Sequence, residues 1–240
     1  MAENIWLDER NWSGTNTWAG VPRVAKTLYL RTGGALSPDT PGASEGAVSL
    51  AYDPNDPTPT FGGARFTPLD SSVPEGPQNL ATNIELRADV KVFSTPVLTN
   101  DLRLNATNIT LTLYASSDRP DTDFAVRLTD VYPDGRSIIL AQGIRRARFR
   151  DSLSTEQLMT PGVVYAIPVA LQNIAHTFRA GHRLRLVISG ADYPMYDRNL
   201  NDGGPMYTNG PLLVAHNNLF HEAVHASRLD FQVLPDDLDS

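Results

Sequence analysis

The residue pattern that indicates the fold of this chain is clearest in the stretch Pro120-Asp121-Thr122-Asp123-Phe124-Ala125-Val126-Arg127-Leu128-Thr129-Asp130-Val131-Tyr132-Pro133-Asp134-Gly135. Phe124, Val126 and Leu128 alternate with small or polar residues, the period of two that is typical of a half-buried β-strand. Pro133-Asp134-Gly135 then provides a fixed φ, a side-chain acceptor and a glycine, which together favour a hairpin turn. The stretch therefore predicts a β domain.

Similar alternating or β-branched segments recur along the 240 residues. They predict about ten strands: Thr27 to Arg31, Val48 to Tyr52, Leu86 to Phe93, Leu102 to Ala115, Phe124 to Val131, Ser137 to Ala141, Val163 to Leu171, Leu184 to Ser189, Leu212 to His216 and Leu229 to Val233. The best helical candidates, Ser154 to Met159 and Gln172 to Phe178, are one or two turns each. Long connections rich in proline and glycine favour an all-β jelly-roll β-sandwich, and with no linker or repeat we expect a single domain over residues 1–240.

Bulk composition narrows the function. The formal charge is −7 and the only basic cluster is Arg145 to Arg150, so we expect no nucleic-acid partner. On an alternating strand the charges of that cluster would be divided between the two faces, one of them solvated or facing another domain. The chain has no cysteine, which excludes disulfides and a cysteine nucleophile. No signal peptide or membrane-spanning run is apparent, so we expect a soluble chain with no membrane partner. Its compartment stays open, with the cytoplasm favoured.

One segment imitates a catalytic motif. Gly42-Ala43-Ser44-Glu45-Gly46 matches the G-x-S-x-G pattern of serine hydrolases. That chemistry requires the serine on a tight turn between a strand and a helix, whereas here a loop precedes the motif and a strand follows it. We therefore assign no catalytic residue, and Ser44 is expected in an ordinary loop.

Metal and cofactor sites are not predicted either. His216, His221 and His225 have spacings that fit no strand face, and His182 stands at the entry to a strand, where a structural hydrogen bond is expected. Asp121, Asp123, Asp130 and Asp134 are interpreted as turn-forming or ion-pairing carboxylates, because a calcium cage needs six or more oxygen ligands.

Five separated segments, taken together, resemble one family. They are Tyr52 to Gly63, Asp121 to Gly135, Gly143 to Arg150, Gly181 to Leu184 and Tyr193 to Asn199. In order and spacing they are similar to the C-terminal domain shared by X-Pro dipeptidyl-peptidases, cocaine esterase and α-amino acid ester hydrolases, over nearly the whole chain. The resemblance implies a jelly roll of galactose-binding-like topology that accompanies an α/β-hydrolase domain carrying a Ser-His-Asp triad. The α/β-hydrolase domain of the same polypeptide is thus the expected partner, this chain alone is expected to be inactive, and its oligomeric state is left open.

The resemblance also implies where the chain meets substrate and partner. Such a domain packs on the catalytic domain and helps wall the active-site cleft. We expect Phe61, Arg65 and Phe66, in the loop Phe61 to Pro68, at the rim of the substrate pocket; alternatively the aromatic residues only close the end of the sandwich. The loop Tyr193 to Asn201 is the expected interdomain interface, with the predicted contacts Tyr196, Asp197, Arg198 and Asn199, and with Asp197 orienting Arg198.

The alternative function is a carbohydrate-binding module, which rests on fold analogy. It would need an exposed aromatic platform, for which Trp6, Trp12 and Trp18 are available. Their position near the N-terminus makes interface packing the preferred interpretation. The segment Ser189-Gly190-Ala191-Asp192 departs from the family pattern, in which serines commonly follow the Gly-His-Arg strand, so substrate preference between peptides and esters is not carried over.

Overall fold

The computed structural model describes residues 4–7, 12–15, 23–64, 72–106 and 108–235. These residues form sixteen β-strands: β1 (Asn4–Leu7), β2 (Trp12–Thr15), β3 (Val24–Arg31), β4 (Ala35–Ser37), β5 (Ala47–Tyr52), β6 (Val90–Ser94), β7 (Leu102–Ala106), β8 (Thr110–Ser117), β9 (Asp123–Val131), β10 (Ser137–Arg146), β11 (Tyr165–Ala170), β12 (Ile174–Phe178), β13 (Arg183–Ser189), β14 (Ala215–Glu222), β15 (His225–Ala226) and β16 (Arg228–Val233). Helical structure in the described ranges is limited to two 3₁₀ turns, Thr32–Gly34 and Ala147–Phe149.

Strands β1 and β2 form a separate two-stranded sheet, and the other strands form two halves that face each other. The first half has the order β10-β9-β13-β6, and the second contains β3, β16, β8, β14 and β5, with β7, β11 and β12 paired to its members. The short strand β4 joins the halves, because it pairs with β3 and touches β6 through Ala35 and Ser94. The chain crosses from one half to the other after β5, β6, β8, β10, β12 and β13, which is the connection pattern of a jelly-roll β-sandwich. The predicted all-β fold is confirmed.

The main core lies between the two halves. It contains alternate residues of facing strands, such as Phe124, Val126 and Leu128 of β9 and Leu111 and Leu113 of β8, all of them fully buried. The period of two in the sequence thus places the inward side chains of β9 as predicted.

The outer face of the first half is also covered, which the sequence did not predict. All nine residues of β9 are buried, although the alternation indicated a half-buried strand. The long connection between β5 and β6 lies over that face, where Leu80 and Ile84 form a second apolar cluster with Val187 and Ile139. Backbone hydrogen bonds from Leu80 N to Ser137 O (2.8 Å) and from Ile139 N to Gln78 O (3.0 Å) fix this layer along β10.

Several predicted boundaries are wrong. The helical candidate Gln172 to Phe178 contains strand β12, which pairs with β7, and Ser154 to Met159 has no regular structure. Strand β12 forms because a neighbouring strand with free backbone groups outweighs the weak local preference of a short segment. The predicted strand Leu86 to Phe93 begins only at Val90. The preceding residues form turns closed by backbone hydrogen bonds from Arg87 N to Ile84 O (3.1 Å) and from Val90 N to Arg87 O (3.2 Å), and the Arg87 guanidinium reaches across to Asp56 O (3.0 Å).

Candidate functional site

The segment that directly precedes the predicted rim loop meets the predicted interface loop at one end of the sandwich. Thr60 N donates to Tyr193 O (2.7 Å), and Tyr193 N donates to Thr58 O (3.1 Å). Pro59 and Tyr193 form a parallel β-bridge, and Met195 N donates to Thr60 Oγ1 (3.0 Å). We call residues 53–64 and 190–201 the paired loops, because their backbones are hydrogen-bonded to each other.

A buried arginine lies directly beneath the paired loops. Arg127 of β9 is 1% exposed, and its guanidinium donates to Ser189 Oγ and to Asp192 Oδ1, both at 2.9 Å. Longer contacts from Nη2 reach Ala191 O (3.4 Å) and Pro59 O (3.5 Å). One side chain therefore connects the sheet to both loops, although the sequence pattern had placed Arg127 on the polar side of a half-buried strand.

A second buried ionic cluster lies beside it. Arg148 Nε donates to Asp121 Oδ2 (2.8 Å), and Arg146 donates to both oxygens of Asp123 (2.9 and 3.0 Å). The amide of Asn199 lies between the two carboxylates and donates to Asp121 Oδ2 and Asp123 Oδ1, each at 2.8 Å. Burial raises the pKa of Asp123, and hydrogen bonds from Arg146 and Asn199 oppose that shift. We call these five residues the Asp–Arg–Asn cluster.

This cluster confirms one prediction and corrects another. Asp121 and Asp123 are ion-pairing carboxylates, as interpreted, and are 0% and 3% exposed. The basic segment, by contrast, does not continue as an alternating strand with a solvated side, because β10 ends at Arg146 and Ala147–Phe149 forms a 3₁₀ turn. That turn directs Arg148 and Arg150 inward, where Arg150 Nη1 donates to Ala147 O (3.1 Å).

Asn199 was predicted as an interface contact, and the structure places it below the surface. It is 4% exposed, its backbone oxygen accepts a hydrogen bond from Tyr52 Oη (3.0 Å), and its Oδ1 accepts one from Asn201 N (2.9 Å). Any contribution of Asn199 to an interface is therefore through the position of the loop that carries it.

The other predicted interface residues, Tyr196, Asp197 and Arg198, lie at or near the surface, as does Tyr193 at the start of their loop. Tyr193 is 40% exposed, Asp197 is exposed, and burial raises the pKa of the partly covered Tyr196 hydroxyl. Arg198 lies 5.9 Å from the Tyr193 ring centre and donates to Pro54 O (3.0 Å). In the part of the chain that the structure describes, no hydrogen bond or ion pair joins Arg198 to Asp197, so the backbone of the other loop orients Arg198 instead.

The predicted pocket-rim residues are placed only in part. Phe61 is partly buried and packs on the second apolar cluster. The loop that follows it is held at its base, because Gly63 pairs with Gly76 and Gly62 N donates to Pro74 O (3.0 Å). Arg65 and Phe66 lie outside the described residues, as do the side chains of Trp6, Trp12 and Trp18.

A cleft of about 380 Å³ lies beside the paired loops. Arg146, Asp197 and Arg198 line one part of it, and Tyr207, which is 82% exposed, lines another. Sequence reasoning did not select Tyr207. Its signal, an isolated aromatic residue in a glycine- and proline-rich loop, was too weak to separate it from its neighbours.

The local structure shows why the G-x-S-x-G segment, Gly42 to Gly46, does not form a nucleophile elbow. Ser44 is exposed in a turn that leads into β5, so the strand-turn-helix geometry of a nucleophile elbow is not formed. The neighbouring Glu45 accepts hydrogen bonds from Arg31 Nε (2.7 Å) and Thr32 N (3.0 Å), which lower its pKa to about 2.

Four of the five histidines, His176, His182, His221 and His225, have side-chain hydrogen-bond partners. His182 Nδ1 and His176 Nε2 lie 2.9 and 3.1 Å from the two oxygens of buried Asp130, so the structural hydrogen bond expected of His182 is present. His221 Nε2 lies 3.3 Å from Thr32 Oγ1. Among the described residues no group of histidine and acidic side chains could hold a metal ion. No helix in those residues is long and apolar enough to cross a membrane.

Fold and site together define a β-sandwich domain in which the described residues 53–64 and 190–201 are hydrogen-bonded to each other at one end. The chain belongs to the family described as the X-Pro dipeptidyl-peptidase C-terminal non-catalytic domain, whose model matches residues 3–230.

Known proteins agree with that assignment. The chain is 36% identical over 213 residues to cocaine esterase of Rhodococcus sp. (strain MB1 Bresler), an alignment covering 85% of this chain and 35% of the esterase. A solved α-amino acid ester hydrolase superposes with a TM-score of 0.82 at 27% identity, covering 94% of this chain and 39% of the hydrolase. An aminopeptidase from a marine sediment archaeon, Thaumarchaeota archaeon, has the same fold, with a TM-score of 0.83, 24% identity and the same two coverages. The chain thus spans little more than a third of the length of these relatives.

Proposed function

We propose that this chain is the accessory C-terminal domain of a serine hydrolase that acts on X-Pro peptides or acyl esters. It packs on an α/β-hydrolase domain of the same polypeptide and helps to wall the active-site cleft. Under this proposal residues 1–240 are one domain with no catalytic residue of its own, and the bond chemistry belongs to the partner domain.

The observation that supports the proposal most directly is the pairing of the two loops. Phe61, expected at the pocket rim, belongs to one of the paired loops. Arg198, an expected interface contact, and Tyr193, the first residue of the expected interface loop, belong to the other, and the two loops are hydrogen-bonded to each other. A cleft wall must keep its shape while substrate enters, and a surface fixed by backbone hydrogen bonds loses little entropy on docking. Tyrosine and arginine side chains at such a surface are also the types that carry much of the energy of interfaces.

One experiment tests whether the chain is inactive by itself. The purified 240-residue chain is incubated with a fluorophosphonate probe, which labels activated serines. We expect no labelling, because Ser44 is in an exposed turn without the geometry of a nucleophile elbow. Stoichiometric labelling at Ser44 would refute the accessory role.

A second experiment tests the surface used for docking. A photo-crosslinking amino acid is placed at Tyr193 in the longer polypeptide that contains this chain, and crosslinked peptides are identified by mass spectrometry. We expect crosslinks to the hydrolase domain. The same substitution at Val224, which is 77% exposed in the turn between β14 and β15 at the other end of the sandwich, is the matched control. Crosslinks from Val224 and none from Tyr193 would reverse the proposed orientation.

A further inference from the structure

We propose that Arg127 is a positioning residue, which holds the paired loops in a fixed relation to the sheet and, through them, sets the shape of the cleft wall. The catalytic consequence of this inference depends on the proposed function, whereas its structural part does not. Arg127 touches neither the proposed substrate pocket nor the proposed partner, because it is 1% exposed beneath both loops.

The argument begins with the geometry of the guanidinium. Its two terminal nitrogens point in different directions: Nη1 donates to Ser189 Oγ at the end of β13, and Nη2 donates to Asp192 Oδ1 in one of the paired loops. Ser189 Oγ in turn donates to Ala191 O (2.8 Å), which fixes the backbone between them. A planar fork with several donors can serve these acceptors at once, whereas a lysine ammonium offers one point charge.

The second step concerns the other loop. Arg127 Nη2 lies 3.5 Å from Pro59 O, and Pro59 is the residue that forms the parallel bridge with Tyr193. The guanidinium therefore reaches the two loops at the place where they are joined. The hydrogen bonds of the bridge join the loops to each other and not to the sheet, so contacts from the sheet such as that of Arg127 set the position of the bridge above it.

The third step concerns charge. The Arg127–Asp192 pair is 1% and 3% exposed, so neither charge has water as a substitute partner. Removing Arg127 alone would leave a buried carboxylate unpaired and would drive the loop with Asp192 toward solvent. Replacing both partners with neutral side chains of similar volume avoids that penalty, so the pair can be removed with limited loss of stability. The double substitution therefore tests the positioning role of Arg127 separately from its contribution to stability.

The test compares two double variants by amide hydrogen exchange in the 240-residue chain. In Arg127→Met/Asp192→Asn we expect the amides of Thr60 and Tyr193 to exchange about tenfold faster or more, since a charge-assisted hydrogen bond holding their loops is lost. Amides of the β8 core should be unchanged. The control is Arg179→Met/Asp101→Asn, which removes an ion pair of 2.6 Å at the opposite end of the sandwich and should leave both loops as protected as before.

The same variants are then assayed in the longer polypeptide with ester and X-Pro amide substrates. A positioning role predicts a raised KM with a smaller change in kcat, because the wall shapes binding while the triad is intact. Faster loop exchange with unchanged KM would contradict the cleft-wall function and, with it, the catalytic part of this inference. Unchanged loop exchange would overturn the inference about Arg127 and leave the proposed function standing.

Arg127→Lys keeps the proposal testable if the double variant does not fold. Lysine preserves the charge opposite Asp192 but cannot also reach Ser189 and Pro59. We therefore expect faster exchange at Thr60, with a smaller effect at Tyr196, whose amide donates to Asp192 O (2.9 Å). Equal protection at both positions in Arg127→Lys and in the wild-type chain would refute the role of the guanidinium fork.

Discussion

We expect the substitution Asn199→Ala to lower the free energy of unfolding by a large amount. The side chain donates two hydrogen bonds of 2.8 Å to the buried carboxylates of Asp121 and Asp123 and accepts one of 2.9 Å from Asn201 N. A hydrogen bond to a charged group contributes about 1.5–3 kcal/mol, and a neutral one about 1 kcal/mol. The three together indicate a loss of about 4–7 kcal/mol, which is a large part of the roughly 5–15 kcal/mol that stabilises a typical domain.

Asn199→Asp extends the same reasoning. It places a third carboxylate between Asp121 and Asp123, so like charges raise the pKa of the new group above its unfolded value. The stability deficit should then be largest at neutral pH and should shrink as pH falls through that raised pKa, because the protonated group can again donate one hydrogen bond. Because burial also raises the pKa of Asp123 in the wild-type chain, the recovery is measured as the difference in unfolding free energy between Asn199→Asp and wild type at each pH.

Urea denaturation measures both effects through the midpoint and the slope m. Asn218→Ala is the control, since the side chain of Asn218 accepts only an exposed hydrogen bond from Ser49 Oγ (3.1 Å) and should matter by less than about 0.5 kcal/mol. If the free energy of unfolding of Asn199→Ala is within about 1 kcal/mol of the wild-type value, the Asp–Arg–Asn cluster does not stabilise the fold to the expected extent.

Three other substitutions test separate parts of the fold. Glu45→Gln should cost roughly 0.5–1 kcal/mol at pH 7, the range of solvent-screened pairs, through its lost contact with Arg31. Because the folded pKa of Glu45, about 2, lies below the ordinary 4.5, that contribution is present above pH 4.5 and disappears as pH falls toward 2, so the two unfolding curves should converge in acid. Gly143→Ala should prevent normal folding or lower the thermal midpoint by many degrees, because the new Cβ would overlap the backbone oxygen of Ala170. Leu80→Ala should cost about 2–5 kcal/mol by chemical denaturation, because it opens a cavity in the second apolar cluster.

Each of these has an outcome that would contradict it. If the stability difference between Glu45→Gln and the wild-type chain stays constant as pH falls, protonation of Glu45 is not linked to folding. Gly42→Ala is the control for Gly143→Ala, since its Cβ would meet only Glu45 Oε1 at 3.9 Å and stability should hardly change. A loss below about 1 kcal/mol for Leu80→Ala would indicate that the loop over β10 is not packed as described.

The sequence alone determined the fold class and the family. Alternation along Phe124 to Leu128 depends only on neighbouring residues, because successive side chains of a strand point to opposite faces whatever the strand pairs with. For the same reason, the segments that flank Ser44 were enough to exclude it as a catalytic nucleophile. The separated motifs then indicated the family, since their order and spacing are properties of the sequence itself.

The tertiary structure decided which residues build the candidate site. Asn199 and Asp121 are 78 positions apart, and Arg127 and Asp192 are 65 apart, so no local pattern could pair them. The same holds for β12, which became a strand because β7 offered it a partner. Arg127 resembled a solvent-facing residue of a half-buried strand until the connection between β5 and β6 was found to cover that face. Periodicity reports which side of a strand faces the core, but what lies over the other side depends on where distant loops pack.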